Sequence, residues 1–311
     1  MPSSLFADQI RSRIIVAVLL VISYGCSAEP EATFVNFFER MTVERPEEES
    51  LPNSNFKVAV GSMISAQETA VYYHELLDYI AGNLGRGIQL VQRKTYGEIN
   101  KLIGQGQIDF AFICSGPYAT GRDEFAFEAL AMPEVRGSYL YQSYLIVNKG
   151  SHFYKLDDLR GKTFAFTDPE SNTGKLVPTY WLQQIKETPE AFFEKTIFTY
   201  SHDNSIMAVA MSLVDGAAVH GQIWEYYNHR NPQFTSKTRI IKKSIPFGNP
   251  PVVASSNMPE QLKVRIRQLL FNMHLEPAGK RILDELMIDR FIAPKKDCYK
   301  PILEMSRDLK S

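Results

Sequence analysis

The sequence predicts an α/β protein built as two doubly wound lobes joined by two hinge crossovers, and three observations lead there. From residue 56 onward, strand-length runs rich in β-branched and aromatic residues alternate with segments of helical period. The alternation comes in two sets, separated by a long apolar segment at 139–148. Beyond the second set the chain passes through 246–251 and the apolar Val252-Val253-Ala254 into two more helices, so it crosses between the sets twice.

The first set reads as a strand at 56–60 and a helix at 69–84 with Leu76, Leu77, Ile80 and Leu84 on one face. A strand at 88–93, a helix at 96–103 and a strand at 108–113 follow. The second set reads as a strand at 163–167 and a helix after Gly174 on the stripe Leu176, Val177, Trp181, Leu182 and Ile185. Then come a strand at 196–200, a helix at 204–213 and strands at 217–220 and 239–241. The chain then runs through Val252-Val253-Ala254 into helices at 259–274 and 277–286. Short connections of this kind imply parallel strands with right-handed crossovers, and ligands at the strands' carboxyl ends. The expected crossovers lie near 144–148 and 246–251. The first lobe would then comprise 56–143 and 252–311, and the second 144–251.

Ahead of these lobes, Arg11 and Arg13 precede the apolar run 14–22 and then Ser23-Tyr24-Gly25-Cys26. That run is too short for a membrane span and has the shape of a secretory signal peptide, 1–25. Gly25-Cys26 resembles a bacterial lipobox, which implies lipidation at Cys26, export and a membrane anchor. Residues 26–55, with Glu44, Glu47, Glu48 and Glu49, read as an acidic tether.

Composition excludes several classes of function. The chain is 44% hydrophobic and 22% charged with a formal net charge of −1, and it lacks the basic face that nucleic acid needs. Three cysteines make neither a disulfide framework nor a zinc pattern, so no metal is expected, and Cys114 is expected to pack as a small apolar residue. His74-Glu75 lacks the second histidine of a zinc-protease helix. The glycines of 82–87 follow a helix and stand in the wrong register for a dinucleotide turn. Thr173-Gly174-Lys175 has Pro169 and Leu176 where a phosphate-binding loop needs glycine and a hydroxyl. No nucleophile elbow occurs. The reading is a binding protein, not an enzyme, with no cofactor.

The most informative string is the strand–turn–helix at 159–185. Ser171, Asn172, Thr173 and Gly174 sit where the first amides of a helix have no helical partner and face its positive end. Such a turn cradles an oxyanion without a buried lysine. It also serves as an ordinary N-cap closed by Ser171 or Thr173. His202 is open to a similar double reading, as ligand donor or helix cap. His220, on an apolar strand, reads as ligand or satisfied core histidine, and Tyr118 as a lid over the ligand or surface packing.

The string Asp157-Asp158-Leu159-Arg160-Gly161-Lys162-Thr163-Phe164-Ala165-Phe166, followed by Asp168-Pro169 and Ser171-Asn172-Thr173-Gly174, resembles the signature of the PhnD-like phosphate, phosphite and phosphonate substrate-binding proteins of ABC transporters. So do Ile108-Asp109-Phe110-Ala111 leading to Ser115-Gly116-Pro117-Tyr118, and Tyr200-Ser201-His202-Asp203 leading to Val214-Asp215-Gly216. The resemblance covers about 56–286 and implies a type II periplasmic binding protein fold, normally monomeric, that closes on a small oxyanion. It implies that Ser171, Asn172, Thr173 and Gly174 hold the oxyanion, with His202 as a further donor, charged where neighbours favour the proton. Tyr118 would close over the ligand from the other lobe, with Met63, Ile64 and Ser65 lining the first-lobe wall. At His220 relatives often carry an acid or amide, which bears on the ligand's non-phosphorus end; Glu225 is a candidate carboxylate for an amine there. The implied partner is an ABC permease, or a membrane sensor in relatives that signal.

Overall fold

The computed structural model describes residues 55–61 and 63–310; the expected signal peptide, Cys26 and all but the last residue of the tether lie outside them. In chain order the first elements are β1 (Phe56–Val60), α1 (Ala66–Leu84), β2 (Ile88–Val91), α2 (Tyr96–Gly104), β3 (Phe110–Phe112), α3 (Ser115–Phe125) and β4 (Glu128–Glu134). After β5 (Leu140–Tyr141) come β6 (Ser143–Asn148), β7 (Thr163–Phe166), α4 (Val177–Gln183), α5 (Pro189–Phe192), β8 (Lys195–Phe198), α6 (His202–Ala210), β9 (Gly216–His220), α7 (Gly221–Arg230) and β10 (Thr238–Lys243). The chain closes with β11 (Phe247–Gly248), β12 (Val252–Ala254), α8 (Glu260–Asn272), α9 (Pro277–Glu285), β13 (Arg290–Ile292) and α10 (Lys300–Asp308).

Two sheets carry the fold. The first has the order β13-β4-β12-β3-β1-β2 and the second β10-β6-β9-β7-β8. β1 pairs in parallel with β2 and β3, and β7 with β8 and β9, as short crossovers require. β12 and β6 run antiparallel to their neighbours, which the alternation did not predict. Each is the strand by which the chain enters a lobe from the hinge. The hinge lies at the carboxyl ends of the parallel strands, so an entering strand must run the opposite way.

The hinge itself is the antiparallel pair of β5 and β11, Phe247 opposite Tyr141 and Gly248 opposite Leu140. The first crossing therefore precedes the expected 144–148, whose five residues belong to β6 and, but for Asn148, are buried in the second sheet. An apolar run of that length reads equally as linker or buried strand, and only its pairing with β9 and β10 decides.

Apolar side chains cover both faces of each sheet. On β1, Phe56, Val58 and Val60 join Leu76, Leu77 and Ile80 of α1, while Ala59 points to the opposite face with Ile99 and Ile103 of α2. Each buried Val, Leu, Ile or Phe side chain among them contributes about 1.5–3 kcal/mol. Local signals set the helix starts: Ser65 caps α1, and Thr95 with Glu98 forms a full capping box on α2. α3 went unread because Ser115-Gly116-Pro117 looks like a loop, yet a proline is compatible with a first helical turn. The stripe of α4 stops short of expectation, since the helix ends at Gln183 and Ile185 is 42% exposed.

Candidate functional site

β7 delivers Thr167 and Asp168, both fully buried, to the turn at Ser171. Ser171 Oγ accepts the Gly174 amide at 3.0 Å, so the serine is an N-cap as well as a cradle residue. The helix opens with one wide π turn, Asn172–Leu176, before α4. Pro178 explains the widening. It lacks the N–H that would bond the Gly174 carbonyl, and that oxygen instead accepts the Thr167 amide at 3.2 Å. Gly174 has no room for a side chain, because a Cβ would collide with the Thr167 hydroxyl.

The other lobe meets this turn directly. Asp168 accepts the Tyr96 amide, at the start of α2, at 3.1 Å and the Glu170 amide at 2.8 Å. The Met63 carbonyl accepts the His202 amide at 2.9 Å, and Asp203 accepts the Ser65 amide at 2.9 Å. Tyr72 of α1 packs edge-on against Tyr226 of α7 at 5.3 Å. The lobes are thus closed on one another, with residues 63–65 acting as a latch and not only as a wall. Met63 and Ile64 line the adjoining cavity described below.

Within this closed seam lie buried polar atoms that have no hydrogen-bond partner among the described residues. They are Tyr96 Oη, Asn172 Oδ1, Thr173 Oγ1, His202 Nε2 and His220 Nδ1. Contacts tie Asn172, His202 and His220 into one place, and backbone bonds anchor the other two beside it, the Tyr96 amide donating to Asp168 and the Thr173 carbonyl accepting from Ser143 Oγ. Asn172 Nδ2 donates to Tyr141 Oη at 3.0 Å, Ser115 Oγ bonds the same phenol, Tyr141 stacks on His220 at 4.1 Å, and the His202 and His220 rings are 5.8 Å apart. Leaving such atoms unpaired costs a fold about 1–3 kcal/mol each, which an incoming partner would recover.

His202 has a defined tautomer. Its Nδ1 accepts the His220 amide at 3.1 Å, so in the neutral ring the proton sits on Nε2, an unpaired donor. Burial pushes the imidazole down to about 3, and no neighbour raises its affinity for a proton. The conditional expectation of a charged His202 therefore gives way to a neutral donor. His220 is driven well below the ordinary range by burial and then by His202. Lys175, the residue after the cradle, directs its Nζ over the Phe166 ring at 3.8 Å, so no cation enters the cradle among the described residues.

This buried imidazole predicts acid sensitivity. Below pH 6.5 an unfolded chain binds a proton on His202 that the folded protein refuses, until about pH 3, so stability falls with falling pH across that window. The expected loss is about 3 kcal/mol by pH 4. Thermal melts should show it, and His202→Gln should flatten part of the slope. An identical slope in the variant would contradict it.

The structure brings together Ser171, Asn172, Thr173, Gly174, His202, His220, Met63 and Ser65, with Ile64 beside them. It does not bring Tyr118. That ring packs inside the first lobe against Tyr299 at 4.7 Å and Phe127 at 6.3 Å, because the expected loop is the helix α3 and turns it inward. Tyr96 supplies the phenol from the first lobe, and Tyr141 supplies another from the hinge. Neither stood out in the sequence. Tyr96 opens the helix that follows the carboxyl end of β2, the side of the sheet where a ligand residue belongs, and that position was the available signal. Cys114 is 1% exposed and packs with Met63 and Tyr96. Glu225 is engaged already, accepting from Tyr144 Oη at 2.5 Å and from Arg136 at 3.1 Å.

Two mixed sheets, two hinge strands and a polar seam between strand ends define a type II periplasmic binding protein. A binding protein component of an ABC phosphonate transporter from Pseudomonas aeruginosa has the same fold, with a TM-score of 0.76, 24% identity, and coverage of 81% of this chain and 85% of that one. PhnD1 from Prochlorococcus marinus, solved in complex with methylphosphonate, gives a TM-score of 0.74 at 20% identity over 82% and 98% of the two chains. In sequence, the phosphonates-binding periplasmic protein of Escherichia coli is 31% identical over 154 residues, covering 48% of this chain and 45% of the relative. A probable phosphite-binding protein of Prochlorococcus marinus is 27% identical over 182 residues, covering 57% and 61%. These alignments span about half the length of the curated relatives. The family profile matches residues 58–299, and the chain belongs to the periplasmic substrate-binding proteins of phosphonate ABC transporters. Among the described residues no helix is long and apolar enough to cross a membrane.

Proposed function

We propose that the protein captures the oxyanion head of a phosphonate or related phosphorus compound in the seam between its lobes and presents the closed form to an ABC permease. The carrying observation is the set of buried, unpaired polar atoms contributed by both lobes, Tyr96 from one and Asn172, Thr173, His202 and His220 from the other. In this reading Ser171 and Gly174 shape the cradle, Thr173 Oγ1 and His202 Nε2 donate to the oxyanion, and Tyr96 and Tyr141 close over it. Neutral donors in a dry site suffice for an anion, since hydrogen bonds to a charged group contribute about 1.5–3 kcal/mol each. Closure follows because the ligand contacts both lobes, and only such contacts favour the closed state.

The protein acts in this reading by binding alone, as a monomer without catalysis. Its lobes comprise the described residues before β5 together with those after β11, and the residues between these two hinge strands. Export by the segment 1–25 and lipid attachment at Cys26 would hold it at the outer face of the membrane on the acidic tether 26–55. Calorimetry with methylphosphonate, phosphite and inorganic phosphate tests the proposal. At least one should bind with a dissociation constant of roughly 1 μM or tighter. Absence of binding by all three, or tighter binding of sulfate, would overturn it.

A further inference from the structure

Beside the cradle lies a cavity of about 140 Å³ between the lobes. Its walls are largely apolar and aromatic, with Tyr72, Phe112, Val135, Ile223, Tyr226 and Phe291 prominent among them. It adjoins the cradle through two residues. His220 and Met63 both line the cavity, while the His220 amide bonds His202 Nδ1 and the Met63 carbonyl accepts the His202 amide. The cavity thus borders the residues that hold His202, and it is a neighbouring space among the described residues for a group held there to grow into.

We infer that this cavity receives the organic substituent of the ligand and that the substituent is an uncharged hydrocarbon or aryl group, so the preferred ligand is a larger apolar organophosphonate. The inference rests on the oxyanion reading above. Size supports it, because an apolar cavity of roughly 150 Å³ accommodates a benzene ring. Charge supports it as well. Glu225 is the one acidic residue lining the cavity among the described residues, and each of its oxygens already accepts a bond, one from Tyr144 and one from Arg136, whose guanidinium offsets its charge. An ammonium placed there would lose its water and find only a carboxylate already neutralised by the Arg136 guanidinium, which would repel it.

A calorimetric series separates this inference from its premise. Methylphosphonate reads the cradle alone. Affinity should then rise about three- to fourfold per buried methylene, making n-butylphosphonate and phenylphosphonate at least tenfold tighter than methylphosphonate. 2-Aminoethylphosphonate should bind at least tenfold more weakly than n-propylphosphonate. Val135→Trp, on the first-lobe wall of the cavity, should abolish the gain for the larger ligands and leave methylphosphonate within about twofold. Should methylphosphonate bind while the larger apolar ligands bind no tighter, or the amine bind best, the inference falls and the oxyanion reading stands. A gain that persists in Val135→Trp also overturns it. If no phosphonate and no phosphate binds, both fall together.

Discussion

Gly116→Val is expected to hold the lobes apart and to weaken ligand binding about 10- to 100-fold. Gly116 opens α3 in the first lobe, and a Cβ there would stand 2.6 Å from the Glu170 carbonyl oxygen and 2.9 Å from the Asn172 nitrogen of the second lobe. Both are backbone atoms that no rotamer change can move. Overpacking of this kind costs about 1–3 kcal/mol even where neighbours relax. The collision exists only when the lobes meet, so the penalty falls on closure while each lobe folds normally. Reducing the population of the competent state lowers apparent affinity in proportion. Small-angle scattering should show a ligand-induced decrease in radius of gyration in the wild type and none in Gly116→Val, alongside the loss in calorimetry. Wild-type affinity in the variant would mean that the ligand does not bind through closure of this seam.

Thr173→Val should lower affinity for the oxyanion about 10- to 100-fold while leaving the ligand-free protein as stable as before or slightly more so. The two side chains have nearly the same shape, and the Thr173 carbonyl keeps its bond from Ser143 Oγ at 2.7 Å. What disappears is a buried hydroxyl with no partner among the described residues. Removing it relieves the folded protein of an unsatisfied group and deprives the anion of a donor, a loss of about 1.5–3 kcal/mol in binding. Opposite signs for stability and affinity distinguish a ligand donor from a structural threonine, whose loss would lower stability. A variant that melts markedly lower with unchanged affinity would remove Thr173 from the site.

The legible parts of the protein were those encoded by neighbouring residues. The strand–turn–helix at 163–183 announces itself through a β-branched and aromatic strand, a run of cap-forming residues and an amphipathic stripe. The turn could still surprise in detail, since Pro178 widens it to a π turn. Tyr118 shows where local reading fails. A tyrosine after Gly-Pro reads as exposed, but the helix of α3 rotates it into the core beside Tyr299, which lies 181 positions later. The same limit hid Tyr96 and Tyr141, which matter only because of what stands opposite them across the seam.

By itself, then, the sequence determined the two-lobed α/β plan, most of its strands and the oxyanion-type turn, because propensity, period and capping act over a few residues. Tertiary structure alone decided that β6 and β12 run antiparallel, that His202 is neutral with its proton on Nε2, and that tyrosines from a strand end and the hinge face the cradle. It also decided that an apolar cavity continues from His220. Each of these depends on residues far apart in the chain being pressed together by closure, where burial and long-range hydrogen bonds, unlike local propensity, set charge, tautomer and shape.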